Sequence, residues 1–161
     1  MKTRNMTSIY LIQNDRVLLL FRQGGRVVNE VWTGSAGGHF EETELNDPEA
    51  CVLRELYEEL GVKASDLDGL KLRYITLRRS KSEVRQNFYF FAELKNSFSG
   101  NLASNEGISK WFSLEEIGNL NMPYSARYMI DHYLATGRFT DELYVGLADG
   151  EAVRFTELPE Y

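Results

Sequence analysis

The chain has 161 residues, of which 43% are hydrophobic and 26% charged, with a formal net charge of -6. These values exclude a disordered polyelectrolyte and suit one domain, residues 1–161, with a proper hydrophobic core. The basic residues are scattered through an acidic chain, so duplex nucleic acid, which wants a basic face, is not an expected partner.

No stretch approaches the roughly 20 apolar residues that cross a bilayer. The opening M-K-T-R-N-M-T-S-I-Y-L-I lacks the long apolar core of a signal peptide, and Cys51 has no second cysteine to pair with. A soluble cytoplasmic protein with no membrane partner is the expectation.

In chain order, Met6 to Ile12 and Arg16 to Arg22 are β-prone runs separated by Asn14-Asp15, which predicts a hairpin. The near-continuous V-L-L-L-F predicts a second strand buried on both faces. Gln23 to Glu30, with Gly24-Gly25, reads as a flexible connection. The glycines of W-T-G-S-A-G-G-H-F permit close backbone approach. A helix is predicted from Asp47-Pro48-Glu49, with Asp as N-cap and Pro at the first helical position, to a stop at Gly61. Strands are predicted at Leu72 to Leu77, Val84 to Leu94 and Ile108 to Phe112. Pro123 opens a packing helix, with Ala126, Met129, Ile130, Tyr133 and Leu134 on one face and Gly137 at its end. Asp149-Gly150, between two β-prone runs, predicts a C-terminal hairpin over about residues 140–161 whose free edge offers a homodimer contact.

On the first helix, at about 100° per residue, Val52, Leu53, Leu56 and Leu60 fall in one arc while Glu55, Glu58 and Glu59 fill another. A solvated face is the bland reading. Against it, Glu55 and Glu59 are a like-charged i, i+4 pair, which costs a few tenths of a kcal/mol where an opposite pair would help. The upstream loop adds Glu41, Glu42 and Glu44 within reach. Carboxylates on one rigid face suit a hard divalent cation such as Mg²⁺, which takes oxygen ligands together with substrate phosphates.

These residues carry a family resemblance. G-G-H-F-E-E-T-E followed by R-E-L-Y-E-E-L-G-V resembles the signature of the Nudix hydrolases, G-x5-E-x7-R-E-U-x-E-E-x-G-U with U aliphatic. Arg54, Glu55, Leu56, Glu58, Glu59, Gly61 and Val62 match every fixed position of its second half. Gly38 and Glu44 match the first half, but nine residues separate Glu44 from Arg54, and Thr43 stands where a glycine is common. The loop therefore carries two extra residues, around Leu45 to Asp47. The opening hairpin, the Trp32 to Gly38 lead-in and Glu106 to Ile117 are also similar to family members.

The resemblance implies an α/β/α sandwich with a mixed sheet, to which the C-terminal hairpin is an addition. It implies Mg²⁺ or Mn²⁺ as cofactor and hydrolysis of a nucleoside diphosphate linked to another moiety. Glu55, Glu58, Glu59 and the Gly38 carbonyl become the metal ligands, and Arg54 the partner of Glu44. Glu106 resembles a downstream glutamate that binds metal or takes a proton from water, so Glu58, Glu59 and Glu106 all stand as candidate bases. The implied substrate is a nucleoside triphosphate, an oxidised purine triphosphate such as 8-oxo-dGTP included. Alternatives are ADP-ribose, a nucleotide sugar, a dinucleoside polyphosphate, or a non-catalytic nucleotide-binding module. A prenyl diphosphate isomerase is disfavoured because Cys51 lies inside the signature helix.

Other residues have plainer readings. His39 reads as a tolerated polar loop residue and His132 as a surface residue of the packing helix. Cys51 reads as a small helix residue, and Trp32 and Trp111 as core or pocket wall. Arg78, Arg79 and Lys81 read as a solvated turn, with phosphate steering as the alternative. Tyr10, Arg22, Arg26 and Phe90 are pocket candidates by fold analogy.

Overall fold

A computed structural model describes residues 1–23 and 30–161; the reading of Arg26 and of Gly24-Gly25 lies outside them. Strands β1 (Lys2–Gln13) and β2 (Arg16–Arg22) form the predicted hairpin. Asn14 and Asp15 both take positive φ, 51° and 60°, the backbone that a two-residue hairpin turn demands. Val17 to Leu20 are buried, as the continuous apolar run requires. Short strands β3 (Val31–Thr33) and β4 (Ala36–His39) follow, β4 antiparallel to the middle of β1.

Helix α1 (Pro48–Leu60) has the predicted bounds. The Asp47 side chain accepts from the Ala50 N–H at 3.0 Å, and Gly61 closes the helix in the left-handed region at φ 67°. Strands β5 (Leu67–Ser80) and β6 (Glu83–Leu94) are longer than their apolar runs. Pairing from Arg78/Arg85 to Ser80/Glu83 extends them, because a ladder partner keeps polar residues extended where periodicity gives no sign. Then come β7 (Gly107–Ser113), α2 (Tyr124–Ala135, capped by Pro123) and the C-terminal hairpin β8 (Tyr144–Ala148) and β9 (Val153–Glu157). The first helical residue is Tyr124 rather than Pro123, and α2 stops before Gly137, which opens a 3-10 turn.

The strands make one mixed sheet in the order β3-β2-β1-β6-β5-β8-β9, with β4 added beside β1 and β7 beside β2. β1 runs parallel to β6, and β8 parallel to β5. On one face, Val52, Leu56 and Leu60 of α1 pack on Ile9, Leu11, Leu18 and Phe90. On the other, Met129, Ile130 and Tyr133 of α2 pack on Tyr10, Leu19, Tyr74 and Phe91, with Phe91 and Tyr133 stacked at 4.2 Å. This is the expected α/β/α sandwich. Phe90 therefore belongs to the core and not to a pocket wall.

The C-terminal hairpin extends the sheet. Arg73, buried on β5, donates to the carbonyls of Gly137, Thr140 and Glu142 and so ties the segment after α2 to the sheet. His132 is half-buried: its Nδ1 lies 2.9 Å from the Tyr74 hydroxyl, between the rings of Tyr144 and Phe155. The surface reading of His132 is thus corrected, because the hairpin covers a ring that α2 alone leaves bare. Among the described residues no helix is long and apolar enough to cross a membrane.

Candidate active site

The glutamate face of α1 lies against β4. Gly38 is held in register with Thr7 of β1, and a Cβ there would collide with the Glu55 carboxylate. Gly37 takes φ 156°, and a Cβ on it would strike the Thr7 carbonyl. Two glycines thus let a strand backbone and a helix carboxylate share one space, which explains the G-G pair physically.

Arg54 organises the carboxylates around it. Its Nε and Nη2 donate to the two oxygens of Glu44 at 2.6 and 3.0 Å. Its Nη1 donates to Glu55 at 2.7 Å and to Glu58 at 3.2 Å, and Nη2 also donates to the His39 carbonyl at 3.0 Å. Glu44 accepts in addition from the Glu41 N–H at 2.9 Å. Arg54 and these bonds hold the buried Glu44 carboxyl down at about 2. The two extra loop residues fall in a turn at Leu45 and Asn46 that follows a 3-10 turn, Glu42–Glu44, and is closed by the Asp47 N–H donating to the Glu44 carbonyl at 2.8 Å. The exposed side chain of Leu45 projects from it. The longer spacing leaves Glu44 facing Arg54, because the turn returns the chain to the helix start.

Glu59 stands apart from Arg54. One oxygen is buried without a hydrogen-bond partner among the described residues. Burial pushes its carboxyl up to about 7 against the opposing pull of Arg22, and the neighbouring Glu55 and Glu106 carboxylates add smaller upward pushes. Glu106, in the loop before β7, lines the same hollow of about 400 Å³ as Gly38, Glu55 and Glu59. Exposed Glu58 lies at its edge on Arg54. Among the described residues no three carboxylates stand together as a ready metal cage, since Arg54 holds Glu55 and Glu58.

The hollow opens into a larger cleft of about 660 Å³, with Gly37, Gly38, His39, Arg22 and Glu106 on the walls of both. The cleft runs over the α2 face of the sheet to the first turn of α2. Of the pocket candidates, Arg22 and Tyr10 line it, Tyr10 mainly as a buried core ring. Arg78 lines it too, its guanidinium 5.0 Å from the Tyr124 ring, whereas Arg79 is exposed. Trp32 packs between Phe21 and Phe112 and Trp111 against the α1 core. Arg4, Arg85, Asn87 and Tyr124, none of them singled out by the sequence, also line the cleft. Cys51 is buried beneath the glutamate face, 3.4 Å from the Thr7 hydroxyl, and burial pushes its thiol up to about 11.

Residues 2–133 match the model of the NUDIX domain. The chain belongs to the Nudix hydrolase family. The enzyme class implied by the motif, a pyrophosphohydrolase acting on phosphoric anhydrides of small nucleotide substrates, is that of the family. No curated protein matches the sequence significantly. Among solved structures, a MutT protein from Bacillus halodurans superposes with a TM-score of 0.69 at 22% identity, over 98% of this chain and 99% of that one. The ORF135 protein of E. coli gives 0.65 at 20% identity, over 84% and 91%. An Ap4A hydrolase from C. elegans gives 0.63 at 18% identity, over 87% and 100%. At these identities the likeness is one of fold.

Proposed function

We propose that this Nudix chain is a Mg²⁺- or Mn²⁺-dependent hydrolase that cleaves a diphosphate linkage in a nucleoside triphosphate, with oxidised purine triphosphates inside that class. The observation that carries the reading is the placement of Glu55, Glu59, Glu106 and the Gly38 backbone where the hollow meets a nucleotide-sized cleft.

The residues fit a divalent cation. Every donor is a hard oxygen, as such ions require, and the buried Glu59 oxygen lacks a partner among the described residues while burial makes its carboxyl resist ionisation. Glu55, Glu58, Glu59 and the Gly38 carbonyl would hold the ion. Bound there, it would screen phosphate charge and make hydroxide available near neutral pH. Arg54 fixes the Glu55 and Glu58 carboxylates beside the hollow it lines and is itself braced by Glu44. Glu106 lines the same hollow as Glu55 and Glu59 and, among the described residues, has no ion-pair partner, so it is the group assigned to take the proton of the attacking water. Arg22 lies on the walls of both cavities, where a phosphate passes between them.

A dinucleoside polyphosphate is a second reading, favoured by the arginines along the cleft, which suit a longer anionic chain. The proposal takes residues 1–161 as one catalytic domain and the free edge of β9 as a homodimer contact, checked by light-scattering mass. The test of function is phosphate or pyrophosphate release from nucleoside triphosphates, oxidised triphosphates, ADP-ribose, dinucleoside polyphosphates and nucleotide sugars, with and without Mg²⁺. Metal-dependent turnover of triphosphates that is lost in Glu58→Gln supports the reading. Unchanged turnover in Glu55→Gln, Glu58→Gln and Glu59→Gln would overturn it, and absence of both turnover and Mg²⁺ binding would leave a binding module.

A further inference from the structure

Three arginines stand side by side in the cleft. Arg4 of β1 is in register with Arg85 of β6, and Arg85 with Arg78 of β5. Residues paired across strands share a face, so the three guanidinium groups form one row over three adjacent strands. Like charges placed directly opposite each other destabilise a sheet. All three are half-buried, while Arg79 on the other face of β5 is exposed.

The local partners do not neutralise the row. Arg85 Nε meets the Glu83 carboxylate at 2.6 Å. Arg4 meets an imidazole, His39 Nε2 at 3.0 Å, and Arg78 meets the ring of Tyr124. Among the described residues that leaves three guanidinium groups and one carboxylate. Above the row the Tyr124 hydroxyl is buried with no hydrogen-bond partner among the described residues. The row and Tyr124 thus line one cleft that has positive charge to spare and an unbonded hydroxyl in its wall.

Its position separates it from the glutamates. Gly38 pairs with Thr7, and Arg4 lies three residues farther along β1, about 10 Å at strand rise, with Arg85 and Arg78 about 5 and 10 Å beyond across the sheet. A diphosphate seated at the glutamates leaves the row to a different part of the same molecule.

We propose that the row binds a second phosphate, so that the substrate is a nucleoside di- or triphosphate whose sugar carries a further phosphate group. Arg85 and Arg78 fork the distal phosphate, Arg4 adds charge from the adjacent strand, and the Tyr124 hydroxyl donates to an oxygen. Planar guanidinium groups suit this task because they pair bidentately with phosphate. The inference rests on the hydrolase reading for the diphosphate end only.

Two measurements keep the inference separate from that reading. In the first, kcat/KM is compared for nucleoside 5′-di- and triphosphates with and without a 2′- or 3′-phosphate. The phosphorylated member of one pair is expected to be favoured at least about tenfold, and the preference to fall to about threefold or less in Arg85→Gln or Arg78→Gln. Arg79→Gln is expected to keep it. In the second, a nucleoside 3′,5′-bisphosphate, which has no diphosphate to cleave, is titrated calorimetrically into Glu58→Gln against the nucleoside 5′-monophosphate. Tighter bisphosphate binding that is lost on adding Arg85→Gln and partly restored by Arg85→Lys supports the row even in a chain that hydrolyses nothing. Equal kcat/KM within every pair together with equal binding overturns it, as does a preference that survives both glutamine substitutions, whether or not triphosphates are hydrolysed.

Discussion

Replacing Glu44 by glutamine preserves the shape of the Arg54 brace and removes its charge. Glu44 accepts three hydrogen bonds, at 2.6, 2.9 and 3.0 Å, and is only 6% exposed. The glutamine still accepts one bond but turns an amide donor toward a guanidinium. Bonds to charged groups contribute about 1.5–3 kcal/mol each. The Arg54 side chain is 22% exposed and the Glu41 carboxylate stands 3.8 Å from its Nε, so water and Glu41 recover part of the loss. The net destabilisation expected at pH 7 is about 2 kcal/mol.

Its pH dependence has a defined sign. The folded-state carboxyl titrates at about 2, below the ordinary 4.5. Its contribution is therefore fully present above 4.5 and disappears as pH falls from there through about 2. Urea unfolding of wild type and Glu44→Gln at intervals from pH 7 to pH 2.5 measures the difference, with unchanged m values showing that the same transition is compared. A gap that narrows below pH 4.5 is expected. A gap under about 0.5 kcal/mol at pH 7, or one that stays constant into acid, would refute the buried charged brace.

Gly38→Ala and Gly37→Ala separate function from stability. The Gly38 methyl meets the flexible end of Glu55, so turnover is expected to fall about 100-fold or more while stability changes by less than about 1 kcal/mol. The Gly37 methyl meets the Thr7 carbonyl at φ 156°, and a loss of about 2 kcal/mol or more is expected in thermal unfolding. Arg73→Met removes three donations to carbonyls; a loss of about 3 kcal/mol is expected, with limited proteolysis cutting first beyond residue 136. Cys51, buried with its thiol pushed up to about 11, is expected to ignore a disulfide reagent in the native chain at pH 8 and to react at once in denaturant.

Features written in short stretches were legible without coordinates. Asp47, Pro48 and Gly61 bound α1 because capping involves only neighbouring residues, and helical spacing alone gathers Glu55, Glu58 and Glu59 on one side. Asn14-Asp15 makes its turn for the same local reason. The extra loop residues were visible as a count, yet only the turn at Leu45 and Asn46 shows how Glu44 still reaches Arg54. His132 misled because its covering comes from the C-terminal hairpin, which a helical pattern does not contain.

The cleft lay furthest from view. Arg4, Arg78 and Arg85 each occupy an ordinary strand position, and strand alternation says which residues of one strand share a face but not which strands are neighbours. Parallel pairing of β1 with β6 and antiparallel pairing of β5 with β6 bring the three together across up to 81 positions of sequence. The carboxylate face and the helix that carries it follow from contacts within a few turns and can be read from residues 47–61 alone. What lies opposite that face follows from sheet register, a long-range property set by the packing of both helices on the strands.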